Sequence, residues 1–321
     1  MRKVVILATG GTIAGVGRKG RSLGYTSGAL SADELIAAVP EIASVAPVET
    51  VQVCNLNSDD ISATIWLDLA KRINALSRDD GVAGFVVTHG TDTLEETAYF
   101  LNLTVKTRKP VVLTGSMRPS TSISPDGPMN LYESVCVAAA KNACNRGVMA
   151  VFSDRIYSAR SVTKTNTYHV MAISAGQSGA IGVVRDGDVY LSDWPDRAHT
   201  CDTEFDIEPL SALPKVGICY FAVDSDPDVI RYMAERCEGI VIAGAGAGEF
   251  SRAYLEVIDS LSVPVVISSR VNDSLITQDT LMSKLAIASD SLSPQKAAVL
   301  LRLGLTVTRD IEKLRGMFLK Y

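Results

Sequence analysis

Short apolar runs rich in branched residues recur along the chain, separated by longer stretches in which apolar positions return every three or four residues. Val4 to Leu7 is the first short run and predicts a strand. Ser31-Ala32-Asp33-Glu34 is a capping-box pattern that opens a helix, and Pro40 stops it. Periodicity then predicts helices over 61–76, 93–103 and 129–144, and strands over 84–87, 111–113 and 148–152. Strands that are apolar at nearly every position suit a parallel sheet with helices on both faces. Arg185-Asp186-Gly187-Asp188, set between two apolar runs, predicts a β-hairpin.

Residues 192–213 are rich in Asp, Pro and Thr and have no period, which predicts a linker. A second alternating region follows, with strands over 216–221, 240–243 and 264–268 and helices over 227–237 and 250–261. Ser293-Pro294 opens a helix to about Val307, and a last helix spans Ile311 to Leu319. The expected fold is therefore α/β. A larger N-terminal parallel-sheet domain with a β-hairpin covers 1–191, and a smaller C-terminal α/β parallel-sheet domain covers 214–321.

Composition narrows the functional classes. A chain of 321 residues is long for one core and suits two. Hydrophobic residues make up 47% and charged residues 21%, which excludes a disordered or fibrous chain. The net charge is −5 and no long basic run occurs, so neither nucleic acid nor a membrane surface is an expected partner. No apolar run approaches the roughly 20 residues of a membrane span, and the first residues lack the long apolar core of a secretory signal. A cytoplasmic location is expected. The six cysteines include no C-x-x-C pair and read as reduced, and three scattered histidines give no metal-ligand spacing. No metal or organic cofactor is expected.

In parallel sheets, ligands sit beyond the carboxyl ends of strands. Those positions carry Thr9-Gly10-Gly11-Thr12, Thr88-His89-Gly90-Thr91-Asp92-Thr93 and Thr114-Gly115-Ser116-Met117-Arg118-Pro119. Glycine lets backbone amides approach a small ligand, and hydroxyls supply nucleophiles and donors. Common alternatives fail. Gly10-x-x-x-x-Gly15 continues as Val16-Gly17 rather than Lys-Ser/Thr, so it is not a phosphate loop. Gly15-Val16-Gly17-Arg18-Lys19-Gly20 fits a dinucleotide pattern but starts past the strand, with no helix after it; it reads better as a mobile lid. No G-x-S-x-G elbow exists. Taken singly, Asp92 of Asp92-Thr93-Leu94-Glu95 would cap a helix, Lys164 would be a solvated lysine and Thr12 a turn residue. Spacing alone supports a small polar ligand at a sheet edge.

In combination these segments resemble the bacterial-type L-asparaginases over essentially the whole chain. The first signature is Ile6-Leu7-Ala8-Thr9-Gly10-Gly11-Thr12-Ile13-Ala14-Gly15, and the second is Val87-Thr88-His89-Gly90-Thr91-Asp92-Thr93-Leu94-Glu95-Glu96. Tyr25, Ser58, the run 110–119, Asp126-Gly127-Pro128 and Thr163-Lys164-Thr165-Asn166 follow in order. The resemblance implies hydrolysis of L-asparagine to L-aspartate and ammonia through a threonine acyl-enzyme. It implies Thr12 as nucleophile with Tyr25 beside it, and Thr91, Asp92 and Lys164 as a second catalytic cluster. Thr91 is expected to begin a helix whose amides and dipole steady an oxyanion. The substrate-binding set it implies is Ser58, Asp59, Gly90, Thr91, Asp92 and Ser116, with Asp92 pairing the substrate ammonium. It further implies a homotetramer built as a dimer of dimers, in which the C-terminal domain completes the partner's site.

Several positions depart from the family pattern. The glutamate that many members carry after Thr-Gln-Asp is missing from Thr277-Gln278-Asp279-Thr280-Leu281-Met282. Glu249, after Gly244-Ala245-Gly246-Ala247-Gly248, stands where relatives have Asn or Ser. It is the candidate to replace the lost acid from the adjacent subunit, the plainer alternative being that it starts the next helix. Asp59 stands where relatives often have Gln or Glu. Ser77 and Thr107 occupy the positions of the secreted members' disulfide. The rival readings are a dual glutaminase-asparaginase and a non-catalytic asparagine-binding regulator.

Overall fold

The computed structural model describes residues 1–321 except 193 and 196, both of which fall in the expected linker. In the N-terminal part the order is β1 (Lys3–Gly10), α1 (Ala32–Ala37), α2 (Ile42–Val45), β2 (Val48–Leu56), α3 (Ala63–Leu76), β3 (Val82–Thr88), α4 (Leu94–Thr104) and β4 (Val111–Thr114). There follow α5 (Gly127–Ala139), β5 (Val148–Phe152), β6 (Arg155–Ser158), β7 (Thr163–Lys164), β8 (Ile173–Ser174), β9 (Gly182–Arg185) and β10 (Asp188–Leu191). The C-terminal part runs β11 (Val216–Tyr220), α6 (Asp228–Ala234), β12 (Gly239–Gly244), α7 (Arg252–Ser260), β13 (Val265–Ser269), β14 (Ile287–Ala288), α8 (Pro294–Val307) and α9 (Ile311–Lys320).

Two compact units result, Met1–Thr203 and Glu204–Tyr321. In the first, eight of the described strands form one sheet in the order β10-β9-β6-β5-β4-β3-β1-β2. β2, β1, β3, β4 and β5 are mutually parallel, while β6, β9 and β10 continue the sheet antiparallel. The parallel half is the expected sheet, and Asp186 and Gly187 turn the expected hairpin between β9 and β10, both with positive φ. β6 was not predicted. Its turn from β5 runs through Ser153 and Asp154 at φ 49° and 65° and contains no glycine, so the usual hairpin signal is missing. β2 also escaped prediction, because it is an edge strand with polar residues at alternate positions.

The parallel strands are apolar throughout because both faces are covered. Val4 and Ile6 of β1 pack with Val86, Val112, Leu131 and Val135 in one cluster that includes α5. Val5, Leu7, Phe85 and Val87 fill the alternate positions and are equally buried. On α3 and α4, Trp66 and Phe100 stack with ring centroids 5.1 Å apart. Helix limits shift for local reasons. α5 starts at Gly127-Pro128 and ends at Ala139, and residues 141–143 form only a 3-10 turn. The capping box at Ser31 and Glu34 is present, with the Ser31 hydroxyl accepting from Glu34 N and the Glu34 carboxylate accepting from Ser31 N.

In the second unit, β11, β12, β13 and β14 form a parallel sheet with a separate core around Ile240, Ile242, Tyr254 and Ile267. The segment expected as linker is anchored near its middle. Lys106 Nζ donates to the carbonyls of Thr200 and Thr203 at 3.2 and 2.9 Å. Within the second unit, Tyr321 donates to Glu204 at 2.9 Å and its ring packs on Phe205. No helix among the described residues is long and apolar enough to cross a membrane.

Gly84 of β3 marks how closely α5 rides on the sheet. A Cβ there would stand 2.2 Å from the Ala138 carbonyl oxygen and 2.9 Å from that of Pro110. Both are backbone atoms, so relief requires moving an element. Gly84→Ala is expected to cost about 1–3 kcal/mol of stability, as overpacking does, and a chemical denaturation curve measures it.

Candidate active site

The strand order reverses at β1, with β2 on one side and β3 on the other. A crevice opens at such a reversal, beyond the carboxyl ends of the strands. The residues that leave β1 and β3 there are Thr12 and Thr91. Gly11 brings them together. It sits at φ 82°, and a Cβ on it would lie 2.4 Å from the Gly90 amide nitrogen. Any side chain at 11 would therefore drive the two loops apart. Further hydrogen bonds fix the loops: Gly11 N to the Leu56 carbonyl at 2.9 Å, and His89 N to the Thr114 carbonyl at 2.8 Å.

Thr12 lies buried in a 3-10 turn that follows β1 directly. Its Oγ1 is 2.7 Å from the hydroxyl of Tyr25. Tyr25 comes from the glycine-rich segment expected as a lid. Here that segment is held by the bridge between Val16 and Thr26 and by Gly17 N donating to Thr121 Oγ1 at 3.0 Å. The Tyr25 ring packs over Gly15, and its Cα and Cβ lie against Gly17.

The second cluster forms around Thr91. Lys164 on β7 donates from Nζ to Thr91 Oγ1 at 2.8 Å and to Asp92 Oδ1 at 2.6 Å. The lysine is mostly covered, with 17% of its side chain exposed, while Asp92 is 69% exposed. The cluster thus has a sheltered cation and a solvated carboxylate. Two expectations are corrected here. Asp92 does not cap a helix, since α4 begins at Leu94 behind Thr93 and has no side-chain cap. For the same reason Thr91 does not begin a helix; it stands in the preceding turn, which leaves its hydroxyl free to meet Lys164.

Ser58 is buried in a 3-10 turn after β2 and packs against Gly90. Its carbonyl accepts from Thr93 Oγ1 at 2.6 Å, which ties it to the Thr91 loop. Asp59, the next residue, is exposed. Ser116 is fully buried and its hydroxyl donates to the Arg118 carbonyl at 2.8 Å. Glu249 lies in the second unit, where its backbone closes a tight turn with Ala245 and its side chain is exposed. It does not start the helix after it, which corrects that alternative: α7 begins at Arg252, and the Ser251 hydroxyl caps it by accepting from Tyr254 N.

Sequence reading assigned no role to the residues beneath the site, although His89 and Asp126 stand within its signature runs. Both Asp126 carboxylate oxygens accept backbone amides of the Ser116 loop, from Met117 and Arg118 at 2.9 Å each. Asn130 donates to the Gly115 carbonyl at 3.0 Å. His89 is fully buried. Its Nδ1 is 2.7 Å from the Gly90 carbonyl oxygen, so Nδ1 carries the proton, and Nε2 accepts from Thr97 at 3.0 Å. Thr97 in turn accepts from Trp66 Nε1 at 2.8 Å. The available signal was polarity inside elements that are otherwise apolar: Glu95, Thr97 and Asn130 are polar positions on covered helix faces.

The fold and the site define a parallel α/β enzyme class with two hydroxyl-bearing clusters at a sheet reversal, one of them coupled to a lysine–carboxylate pair. Comparison with known proteins resolves the class. The family described as Asparaginase, N-terminal, matches residues 3–197, and the one described as Glutaminase/Asparaginase C-terminal domain matches residues 215–318. L-asparaginase 2 of Escherichia coli is 45% identical over 328 residues, covering 99% of this chain and 93% of that protein. The glutaminase-asparaginase of Acinetobacter glutaminasificans is 40% identical, covering 99% of each. A probable cytoplasmic L-asparaginase from Campylobacter jejuni, known by crystal structure, has a TM-score of 0.97 at 44% identity, with 100% of both chains covered. The chain belongs to the asparaginase family.

Burial holds the His89 pKa down at about 4, against a usual value near 6.5. The unfolded chain takes up a proton on this residue as pH falls through 6.5, and the folded chain does so only near 4. Stability is therefore lost between those values and the loss levels off below pH 4. The contribution is about 3 kcal/mol at most. Denaturant midpoints measured from pH 6.5 to 4 should fall less steeply in His89→Gln than in the wild type. Identical slopes would show that His89 titrates as freely folded as unfolded.

Proposed function

We propose that this protein is an L-asparaginase that hydrolyses L-asparagine to L-aspartate and ammonia through a threonine ester. The observation that carries the reading is the pairing of Thr12 with Tyr25 at 2.7 Å and of Thr91 with Lys164 at 2.8 Å, at the adjoining ends of β1 and β3. A threonine hydroxyl is a weak nucleophile and needs a group to receive its proton. Thr12 attacks the side-chain amide carbon, with its proton passing toward the Tyr25 oxygen. Collapse of the tetrahedral intermediate, with a proton relayed through the Tyr25 hydroxyl to the amide nitrogen, expels ammonia and leaves the aspartyl ester on Thr12. Water, activated at the Thr91–Lys164–Asp92 cluster, then cleaves the ester and frees aspartate. An amine relieved of one proton would accept from Thr91, and the Asp92 carboxylate 2.6 Å away steadies the charge that results.

The substrate's own charges set the remaining roles. Its α-carboxylate falls to Ser58 and the amide-rich turns at Gly90 and Ser116, the latter through backbone because the Ser116 hydroxyl is committed to Arg118. Its ammonium falls to Asp92, with Glu249 of the adjacent subunit as second acceptor in a homotetramer of paired dimers. For compartment we propose the cytoplasm, on the unpaired state of all six cysteines and on Ser77 and Thr107 at the positions of the secreted members' bridge. The dual glutaminase-asparaginase reading is favoured by the full-length similarity to the Acinetobacter enzyme of that name. Ammonia release measured in parallel with asparagine and glutamine separates the two readings.

Thr12→Val and Thr91→Val should each lower kcat by about 10³-fold or more with the fold intact, since the side chains are close in size. Near wild-type kcat in Thr91→Val would end the two-threonine assignment. Lys164→Met should be similarly damaging. Asp92→Asn should raise KM as well as lower kcat, and an unchanged KM would remove Asp92 from the ammonium site. Glu249→Gln should raise KM for asparagine roughly 10-fold while Tm barely moves, as expected for loss of a charge-assisted contact. A variant that loses Tm but keeps its KM would assign Glu249 to the turn alone.

A further inference from the structure

Lys164 reaches Thr91 from an insecure platform. Among the described residues, β7 and β8 are two residues each and pair only with one another in a sheet of their own. Such a ribbon has little intrinsic stability and needs an outside anchor. Alternate backbone groups of a strand face opposite edges, and the ribbon follows that rule. Thr165 N faces β8 and donates to the Ala172 carbonyl at 2.8 Å, whereas Lys164 N faces away. On that outer edge it meets Glu95. One oxygen of the Glu95 carboxyl, Oε2, accepts from Lys164 N at 3.0 Å and from Thr163 Oγ1 at 2.5 Å. Glu95 is 5% exposed and stands in the first turn of α4, three residues after Asp92 and four after Thr91.

The geometry points to Glu95 as a positioning residue, whose carboxyl oxygen fixes the backbone at Lys164 and so sets the reach of its Nζ to Thr91 and Asp92. The inference rests on the roles proposed above for Thr91, Asp92 and Lys164. Its physical content is that one short peptide segment, 91–95, carries both what the lysine touches and what holds the lysine's backbone. Anchor and target thus move as one body, and the two Nζ contacts at 2.6 and 2.8 Å are kept without depending on β7 itself. The anchoring needs a hydrogen-bond acceptor at Oε2, and a carboxamide can offer one there.

The test compares Glu95→Ala, Glu95→Gln and Thr163→Val with the wild type and Lys164→Met, using ammonia release from asparagine per folded molecule. Glu95→Ala should lower kcat by roughly 30-fold or more and change the pH profile of kcat, because the group it displaces is the ionisable Lys164. Glu95→Gln should restore most of that loss, to within about 3-fold of wild type. Thr163→Val, which leaves the Lys164 N contact in place, should fall between them and keeps the test open if Glu95→Ala does not fold. A kcat and pH profile like wild type in Glu95→Ala would overturn the inference, with any change confined to Tm. So would Glu95→Gln as impaired as Glu95→Ala, since the charge and not the acceptor would then matter. If Lys164→Met itself retains activity, it is the proposed role of the lysine that fails; if Lys164→Met is inactive while Glu95→Ala and Thr163→Val are normal, only the positioning role fails.

Discussion

The site depends on a backbone contact. Gly11, having no Cβ, lets the loop that leaves β1 lie against the Gly90 backbone of the loop that leaves β3, at a separation no side chain at 11 could share. Two threonines, each one residue further on, thereby leave neighbouring strands at the same edge of the sheet. Parallel pairing of β1 with β3 delivers both carboxyl ends to the same edge, and the missing Cβ of Gly11 lets the two loops touch. Everything else in the site is arranged around that contact, either by reaching into it, as Tyr25 and Lys164 do, or by holding the loops from below.

The holding layer is polar and, apart from the half-buried Asp126, buried, which makes it rigid. Trp66, Thr97 and His89 form a hydrogen-bonded chain that ends on the Gly90 carbonyl. Asp126 and Asn130 hold the 115–118 turn from the start of α5. Glu95 holds the ribbon that bears Lys164. A buried polar group with its partners satisfied has one low-energy arrangement, because any movement strands a donor or acceptor away from water. The neutral state of His89 belongs to the same logic. A proton on Nε2 would face the donor hydrogen of Thr97, so burial and the Thr97 hydroxyl both favour the neutral ring.

The parallel half of the sheet was legible from sequence because strands covered on both faces must be apolar at every position, as in Val111 to Leu113. β6 was illegible because Ser153 and Asp154 make its turn without glycine, and β2 because an edge strand has one wet face. The signature residues were legible as a family pattern, but their geometry was not. Asp92-Thr93-Leu94-Glu95 fits a capping box, yet neither carboxylate caps the helix: Asp92 turns to Lys164, and Glu95 to Thr163 and the Lys164 backbone. Local patterns assign a carboxylate to the nearest free amide. Here a lysine 72 residues away competes for Asp92 and wins, and only the folded chain brings that competitor into range.

The exposure of Asp92 carries the argument one step further. An ion pair with one partner 69% exposed gains little in water, because solvent screens it. The same pair shielded from water would hold a substrate ammonium and a lysine charge far more strongly, since Coulomb interactions grow as the dielectric falls. Under the proposed function, the first unit supplies the reacting hydroxyls ready placed but leaves its principal anion wet. What covers Asp92 therefore governs affinity more than chemistry. On that proposal, the Gly11–Gly90 contact and its supports would govern bond making, and whatever surface covers Asp92 would govern how tightly an ammonium is held. Under the same proposal, Glu249 of the adjacent subunit, with its side chain exposed, is the acid offered to that closing surface in place of the glutamate missing from 277–282.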